Sequence, residues 1–363
     1  MHPELSNFAA RLRELISNCQ SSISNLQFSE LALELFALQF QYNSAYRKIC
    51  EARKYTPSVV EHWTQIPAVP TAAFKELELT SLTSAERTSV FHSSGTTEQK
   101  PSRHFHNAES LAVYETSLWH WFEFHFDRTG EFLFLTPNPI AAPRSSLVHM
   151  FETVRQKLAL PASAFLGAIG SDGSWLIDFS ATMQRLQIAG ETGRPLTLFG
   201  TAFSLVHLLD HLAENNLLFR LPNGSRVMET GGYKNRSRVL PKAELHALIT
   251  ERLGVARENI ICEYGMSELS SQAYDGARHE ALGGGTLRVF HFPPWAGVRI
   301  VSPETGSEVA DGETGLIRLF DLANVFSVAA IQTEDLGIRR GSGFELMGRA
   351  QLAELRGCSL MSA

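Results

Sequence analysis

The sequence predicts an α/β fold, because short apolar segments with the character of strands alternate with helical patterns. The candidate strands of the central region are 132–135, 196–200, 227–232 and 259–265. A leucine-rich helical pattern follows the second of them, and glycines close the last three. In open α/β sheets, ligands collect at the carboxyl ends of the strands. These glycines therefore indicate where a ligand site is expected.

The N-terminal region, residues 1–62, is predicted to be helical. Apolar residues recur every three to four positions after Ser29, which is a candidate helix N-cap. They are Leu31, Leu35, Leu38, Tyr42 and Ile49. We expect this helix to face the core. Three prolines then end the helical pattern, and 66–70 is predicted to be an extended connector.

A second long helix is expected to begin at Asn107, another candidate N-cap. Its C-terminal part, 119–126, is unusually aromatic. Two interpretations stay open for this segment. Packing in the core is favoured over the alternative, which is a wall of an apolar acyl or aryl pocket.

Residues 286–347 differ in character, because short strand-like runs are separated there by proline and glycine turns. The runs are 287–292, 297–301 and 315–320. The sequence thus divides into an α/β core over 1–285, including the N-terminal helical region, a small β-rich subdomain over 286–347 and a C-terminal tail over 348–363.

Composition excludes several classes of protein. The 363 residues carry a net charge of −6 and no basic stripe, which argues against a nucleic-acid partner. The N-terminus lacks a basic stretch leading into an apolar one, and no run of about 18 apolar residues predicts a membrane span. The four cysteines (Cys19, Cys50, Cys262 and Cys358) form no Cys-x-x-Cys pair. Free thiols and a cytoplasmic location are expected.

A cluster of hydroxyl residues around one glycine suits a loop that wraps phosphate oxygens. It consists of Ser93, Ser94, Gly95, Thr96 and Thr97, and Lys100 and Arg103 follow. The glycine lets backbone N–H groups turn inward, and the hydroxyls add further donors. The spacing differs from that of a Walker loop. Taken alone, such a cluster is more often an ordinary turn.

Two motifs downstream add groups suited to a nucleotide. Gly231 and Gly232 close one candidate strand, and paired glycines let a flat base approach the backbone. The next strand ends in Tyr264, which offers a stacking face. Four residues later, Glu268 offers a carboxylate that can hold Mg²⁺ against nucleotide phosphates.

A third motif, 333–337, places Asp335 in a predicted turn ahead of Arg349. Asp335 can accept hydrogen bonds from both ribose hydroxyls, and Arg349 can donate to the ribose or a phosphate. Each of these residues alone is more often a turn, a cap or a surface charge. Their order and spacing together favour one nucleotide site.

These motifs resemble those of the adenylate-forming superfamily, which includes acyl-CoA synthetases, luciferases and peptide-synthetase adenylation domains. More closely, the sequence is similar to the acyl-protein synthetases of bacterial bioluminescence, the LuxE family. The similarity covers nearly the whole chain. It rests on residues 66–75, the loop at 93–97 with 102–104, and the motifs 229–234, 263–269 and 356–361. It implies the large N-terminal domain of an adenylate-forming enzyme, built of layered α/β sheets with a small β-rich subdomain.

The resemblance also implies a reaction. An acid would be activated by ATP as acyl-AMP with release of pyrophosphate, and the acyl group would pass to a cysteine thiol. The residues implied to bind ATP are Ser93, Ser94, Gly95, Thr96, Thr97, Gly231, Gly232, Tyr264, Gly265, Met266, Ser267, Asp335 and Arg349. Tyr264 would stack on the adenine, with Asp335 and Arg349 at the ribose. Glu268 would hold Mg²⁺, and Cys358 would accept the acyl group.

One departure from the superfamily is expected. Most members carry a mobile C-terminal lid domain whose lysine reaches the forming acyl phosphate. The stretch after Asp335 is shorter here than an independent domain of about 50 residues, so we expect no such lid. Stabilisation of the α-phosphate would fall to Lys234, Lys100 or Arg103. A short tail bearing Cys358 could deliver the thiol.

Three functions remain open at this point. The favoured one is a Mg²⁺- and ATP-dependent ligase that joins a carboxylic acid, with fatty acids as the favoured class, to a protein thiol. The second is an acyl- or aryl-CoA ligase related to phenylacetate-CoA ligase. The third is a non-catalytic nucleotide- or acyl-binding subunit of a reductase complex. The partners implied are the acid substrate and an acyl-CoA or acyl-protein reductase or an acyl carrier.

Overall fold

Two five-stranded sheets organise the part of the chain that the computed structural model describes, which comprises residues 2–18, 23–93, 100–161, 164–232, 237–276 and 288–350. The helices are α1 (Pro3–Asn18), α2 (Asn25–Tyr42), α3 (Ser44–Ala52), α4 (Ala73–Glu76), α5 (Ala108–His125), α6 (Ser146–Lys157), α7 (Phe179–Thr192), α8 (Ala202–Glu214) and α9 (Lys242–Leu253).

The strands of the first part of the chain are β1 (Val69–Pro70), β2 (Ser89–His92), β3 (Arg103–His106), β4 (Glu131–Phe134), β5 (Gly167–Ile169), β6 (Trp175–Ile177) and β7 (Leu196–Thr201). Those of the second part are β8 (Arg226–Thr230), β9 (Ile260–Tyr264), β10 (Ala273–Asp275), β11 (Ala296–Val301), β12 (Thr314–Asp321), β13 (Ala330–Arg340) and β14 (Gly343–Arg349). Strands alternate with helices from β4 to β9, which confirms the predicted α/β fold.

The central sheet has the strand order β10-β9-β8-β7-β4. Its four strands β4, β7, β8 and β9 are parallel, and β10 runs antiparallel at one edge. All four predicted strands are therefore confirmed. Thr201 pairs with Thr230, and Thr230 pairs with Glu263. Because these partners are the last or next-to-last residues of their strands, the carboxyl ends meet at one edge.

Helices cover both faces of the central sheet. Aromatic side chains of the strands, including Phe134 and Phe199, belong to the core that also contains residues of α5 and α6. Leucines of the same strands, including Leu133 and Leu198, belong to a second core with α7, α8 and α9. The alternation of Phe and Leu along β4 follows from the period of two in a strand. Apolar residues on both faces produce the continuous apolar runs seen in the sequence.

The second sheet contains β1, β13, β12 and β11 in that order, with β14 pairing on β13. β1 comes from the N-terminal half of the chain and pairs with β13 in parallel, which ties the two halves together. The predicted strands at 297–301 and 315–320 correspond to β11 and β12. The predicted strand at 287–292 is wrong over its described part, where only isolated bridges at Phe290 and His291 are found.

The N-terminal region is helical, as predicted, but the predicted N-cap residue is wrong. Ser24, not Ser29, caps α2, because the Ser24 hydroxyl accepts a hydrogen bond from the Gln27 N–H at 3.2 Å. Ser29 is buried inside the helix. The helical pattern is also interrupted at Asn43, whose side chain caps α3 by accepting from the Tyr46 N–H.

The aromatic helix α5 begins at the predicted cap, Asn107, which forms a capping box with Ser110. Trp119, Trp121 and Phe122 are buried, whereas Phe124 is 42 % exposed. Core packing, the favoured interpretation of this segment, is therefore confirmed. In the described chain, no helix is both long enough and apolar enough to span a membrane.

Candidate functional site

Two glycine turns lie side by side at the carboxyl edge of the central sheet. Gly231 follows β8 with φ +68°, a left-handed conformation that suits glycine. Gly232 comes next, and among the described residues, chain neighbours aside, no atom lies within 4 Å of the position that a Cβ of either glycine would take. Gly265 follows β9, the neighbouring strand. The structure thus brings these predicted residues together and leaves the first turn open to a ligand.

Gly265 leaves room for a side chain of the preceding strand. A Cβ at this position would collide with the Oε1 atom of Glu263, two residues earlier. Glu263 is buried and accepts a hydrogen bond from the Thr230 hydroxyl of the adjacent strand. Burial raises the pKa of Glu263 to about 7, and the hydrogen bond from Thr230 opposes this rise. No separate role was predicted for Glu263, since a single acid within an apolar strand has no sequence pattern that indicates a function.

Tyr264 connects the central sheet to the second sheet. Its side chain is 7 % exposed, and its hydroxyl donates a hydrogen bond to the Asp335 Oδ2 atom at 2.8 Å. The rings of Phe290 and Phe344 pack edge-on against it, with centroids 6.2 and 5.4 Å away. Burial raises the pKa of Tyr264 well above its usual range, so the hydroxyl remains a donor at neutral pH.

Asp335 lies within strand β13, so the predicted turn at 333–337 is wrong. Non-local pairing decides the outcome, because Asp335 pairs with Arg349 of β14 while Leu336 pairs with Leu316 of β12. The Arg349 Nε atom lies 3.7 Å from the Asp335 Oδ1 atom. Burial raises the pKa of Asp335, and the Tyr264 hydrogen bond and Arg349 oppose that rise. The structure therefore brings Asp335, Arg349 and Tyr264 together.

Glu268 lies in a turn after β9 and is only 4 % exposed. The Ser267 hydroxyl donates to the Glu268 Oε2 atom at 2.9 Å, and the Asn324 side chain donates to the Glu268 carbonyl at 2.8 Å. The Leu269 N–H closes the turn on the Met266 carbonyl. Among the described residues, no lysine or arginine forms an ion pair with Glu268. A buried carboxylate without a protein cation fits a bound metal ion.

The two ends of the phosphate-like loop meet next to the hairpin of β2 and β3. The Ser102 N–H donates to the Ser93 hydroxyl at 2.9 Å, and the Ser93 N–H donates to the Ser102 carbonyl at 3.3 Å. The Lys100 Nζ atom lies 3.2 Å from the Glu76 Oε2 atom, and the Arg103 Nη1 atom lies 3.6 Å from the Glu78 Oε1 atom. The site residues Ser94, Gly95, Thr96, Thr97, Lys234 and Cys358 lie outside the described residues.

His104, in β3, is a further residue of this region that the sequence analysis did not single out as a site residue. Its Nδ1 atom lies 2.8 Å from the Ser267 carbonyl oxygen. Burial lowers the pKa of His104 to about 4, so the ring is neutral at neutral pH. The only sequence signal was its place in the segment after the phosphate-like loop.

Comparison with known proteins decides the family. The model of the LuxE acyl-protein synthetase family matches residues 8–363. The chain belongs to this family. It is 24 % identical over 355 residues to a long-chain-fatty-acid–luciferin-component ligase of Aliivibrio fischeri, covering 92 % of this chain and 87 % of the relative. It is 27 % identical over 340 residues to the protein of the same name from Vibrio harveyi, and this match covers 89 % of this chain and 84 % of the relative.

Solved structures agree on the fold. A 2-hydroxyisobutyryl-CoA ligase in complex with 2-HIB-AMP and CoA has a TM-score of 0.64 and 12 % identity, covering 90 % of this chain and 69 % of that one. The same ligase in the postadenylation state, in complex with 2-HIB-AMP, has a TM-score of 0.65 and 13 % identity. This match covers 90 % of this chain and 67 % of that one. The predicted fold, that of the large N-terminal domain of adenylate-forming enzymes, is therefore confirmed.

A cavity of about 610 Å³ opens beside the same sheet edge in this LuxE family member. Its apolar lining residues are Leu135, Trp175, Leu176, Ile177, Phe179 and Phe203. Ser204 and His207 of α8, together with Asp172 and Ser174, supply polar groups. Leu135 directly follows β4, and Ser204 lies in the first turn of the helix after β7. The cavity thus has the size and lining of a small-molecule pocket and lies at the carboxyl ends of β4 and β7.

A buried cluster of Glu229, His246 and Cys262 lies behind the glycine turns. The Glu229 Oε2 atom is 2.9 Å from His246 Nε2 and 3.5 Å from Cys262 Sγ, and such atoms can hold a metal ion. However, the Arg288 Nη1 atom lies 3.8 Å from the Cys262 sulfur, and the charge of Lys242 also acts on this thiol. Because these cations oppose a metal ion, the cluster fits a hydrogen-bonded support for β8 and β9. Its members are too far apart in sequence to have been found as a motif.

Proposed function

We propose that this protein is a Mg²⁺- and ATP-dependent ligase that activates a carboxylic acid as acyl-AMP and transfers the acyl group to a protein cysteine. The observation that carries the proposal is the meeting of Tyr264, Asp335 and Arg349 beside the glycine turns. Such a group offers a ring, a carboxylate and a guanidinium at one sheet edge, as a nucleoside requires. Membership of the LuxE family and the adenylate-forming fold support the same conclusion.

In this proposal ATP lies across the open glycine turns. Gly231 and Gly232 line the adenine, because in the described part of the chain no side chain lies over the two glycines to block a flat ring. Tyr264 packs near the base, and Gly265, Met266 and Ser267 line the site around it. Asp335 accepts hydrogen bonds from the ribose hydroxyls. The residues proposed to bind the phosphates are Ser93, Ser94, Gly95, Thr96 and Thr97.

Mg²⁺ is proposed to bind at Glu268. A carboxylate oxygen is a ligand that Mg²⁺ prefers, and Glu268 is buried with no ion-pair partner among the described lysines and arginines, which supports this assignment. When bound, Mg²⁺ neutralises charge on the ATP phosphates. The Ser267 hydroxyl keeps one oxygen of Glu268 hydrogen-bonded, which limits the rotation of the carboxylate.

The chemistry proceeds in two steps. First, a carboxylate oxygen of the acid attacks the α-phosphorus of ATP, and the bond to the β-phosphate oxygen breaks with release of pyrophosphate. Lys234 is proposed to stabilise the charge that develops on the α-phosphate, with Lys100 and Arg103 as alternatives. Second, the thiolate of Cys358 attacks the acyl carbon, and AMP leaves with the electrons of the broken C–O bond.

The acid is proposed to be a fatty acid. The apolar cavity between β4, the hairpin of β5 and β6, and α8 lies at the sheet edge where the acyl-AMP would form. Its volume of about 610 Å³ and its leucine and aromatic lining suit an alkyl chain. The two bacterial relatives, both long-chain-fatty-acid–luciferin-component ligases, agree with this choice.

We further propose the context of the reaction. The acyl group would pass from the enzyme to a reductase or an acyl carrier, in the cytoplasm. The proposed organisation is an α/β core over 1–285, a β-rich subdomain over 286–347 and a tail over 348–363.

The deciding experiment is acid-dependent exchange of pyrophosphate into ATP, measured with saturated fatty acids of increasing length and with aryl acids. Exchange driven by fatty acids is expected. If no acid drives exchange although ATP binds, the protein is a nucleotide-binding subunit and the proposal fails. A second assay adds coenzyme A. Formation of acyl-CoA in place of acylated protein would indicate a CoA ligase.

A further inference from the structure

His104 joins two parts of the proposed site that are 163 residues apart. Its ring is 3 % exposed, and its Nδ1 atom lies 2.8 Å from the Ser267 carbonyl oxygen. A carbonyl oxygen only accepts hydrogen bonds, so Nδ1 must carry the hydrogen. The acceptor thus selects one tautomer of the neutral ring, the one with Nδ1 protonated.

On the strand side, His104 is close to the phosphate-like loop. It pairs with Phe91 in the hairpin of β2 and β3. Two residues earlier, Ser102 is hydrogen-bonded to Ser93 in both directions, which closes the loop on this hairpin. The position of His104 is therefore fixed relative to the base of the loop.

On the other side, the turn that bears Glu268 is held by the second sheet. The Asn324 side chain donates to the Glu268 carbonyl, and Asp321 accepts from the Ser270 N–H at 2.9 Å. Both of these contacts come from residues at the end of β12 or just after it. The His104 bond to Ser267 is a contact from the loop hairpin. It therefore holds the turn, and with it Glu268, against the hairpin of β2 and β3.

We propose that His104 is a positioning residue, which holds the Glu268 turn against the hairpin of β2 and β3 and so fixes the carboxylate for Mg²⁺ binding. This inference rests on the proposed function and deepens it. His104 acts through Ser267 and makes no contact with substrate. Residues that orient a metal ligand in this way typically contribute a factor of about 10 to 100 in metal affinity.

The test compares His104→Asn with His104→Phe. The Asn side chain carries a nitrogen bonded to Cγ, as Nδ1 is, so it can replace the donor, whereas Phe keeps the ring and removes it. The matched control is His106→Phe, in the same strand. His106 is equally buried, and its ring contacts that of His104 with centroids 4.2 Å apart, but it is hydrogen-bonded to Ser110 of α5. Phe at position 106 keeps a ring beside His104 and leaves the His104 bond to Ser267 in place. The readout is binding of ATP by calorimetry as a function of Mg²⁺ concentration, with unfolding midpoints measured in parallel.

We expect His104→Phe to raise the Mg²⁺ concentration at half-saturation by about tenfold or more. His104→Asn should stay within about threefold of the parent, and so should His106→Phe, because it keeps the His104 bond to Ser267. An unchanged value in a folded His104→Phe protein would overturn the inference, as would an Asn variant as impaired as Phe. If the parent itself shows no Mg²⁺-dependent ATP binding, the proposed function fails instead.

Discussion

Removal of the Asp335 carboxylate should weaken nucleotide binding and also lower stability, and the two effects can be measured separately. In Asp335→Ala, ATP loses the acceptor for its ribose hydroxyls. Hydrogen bonds to charged groups contribute about 1.5–3 kcal/mol, so ATP binding should weaken by about 10- to 150-fold. The ion pair with Arg349 explains little of this, because the Arg349 side chain is 81 % exposed and such pairs contribute about 0–1 kcal/mol.

The same variant should also lose stability, because the Tyr264 hydroxyl is buried and donates to Asp335 at 2.8 Å. A buried donor without its acceptor costs about 1–3 kcal/mol of unfolding free energy. Tyr264→Phe is the matched control, since it removes the same hydrogen bond but leaves the carboxylate available to the ribose. It should retain the preference for ATP.

The assay is titration of each protein with ATP and with 2′-deoxy-ATP, followed by binding calorimetry, with urea unfolding in parallel. The parent and Tyr264→Phe should bind ATP more tightly than the deoxynucleotide, and Asp335→Ala should bind the two about equally. If Asp335→Ala keeps the full preference of the parent, another residue holds the ribose and the reasoning is refuted.

The remaining predictions concern three other side chains. Glu268→Gln should lower pyrophosphate exchange by about 100-fold, because a metal ligand loses its charge; near-normal exchange in the folded variant would end that assignment. Incubation with ATP, Mg²⁺ and a fatty acid should add one hydroxylamine-sensitive acyl group, detected by mass spectrometry, and Cys358→Ala should abolish it while exchange continues. Labelling at Cys50 would contradict this, because Cys50 is buried and its pKa is raised to about 11. The pKa of Glu263 is raised from 4.5 to about 7 in the folded protein, so its stabilising contribution is present below pH 4.5 and is lost as the pH rises to about 7. The unfolding midpoint of the parent should therefore fall over this range relative to Glu263→Gln, and parallel pH curves would argue against the assignment.

Local patterns determined much of the fold in advance. The four strands 132–135, 196–200, 227–232 and 259–265 were predictable because each is a short apolar run closed by a turn or a helix. The Asn107 cap was also predictable, since an N-cap depends on residues within one helical turn. Gly231 and Gly265 indicated the site for a related reason. Both follow strands directly, and parallel strands place their carboxyl ends at one edge.

Only the tertiary structure decided how the site is assembled. Asp335 was predicted to lie in a turn, but pairing with distant residues of β12 and β14 makes it part of a strand. Its contact with Tyr264 spans 71 residues, and the contact of His104 with Ser267 spans 163. A sequence shows the type of each side chain but not which distant backbone lies beside it. Burial, pKa and hydrogen-bond partner therefore followed from packing, because each depends on residues brought together by the fold.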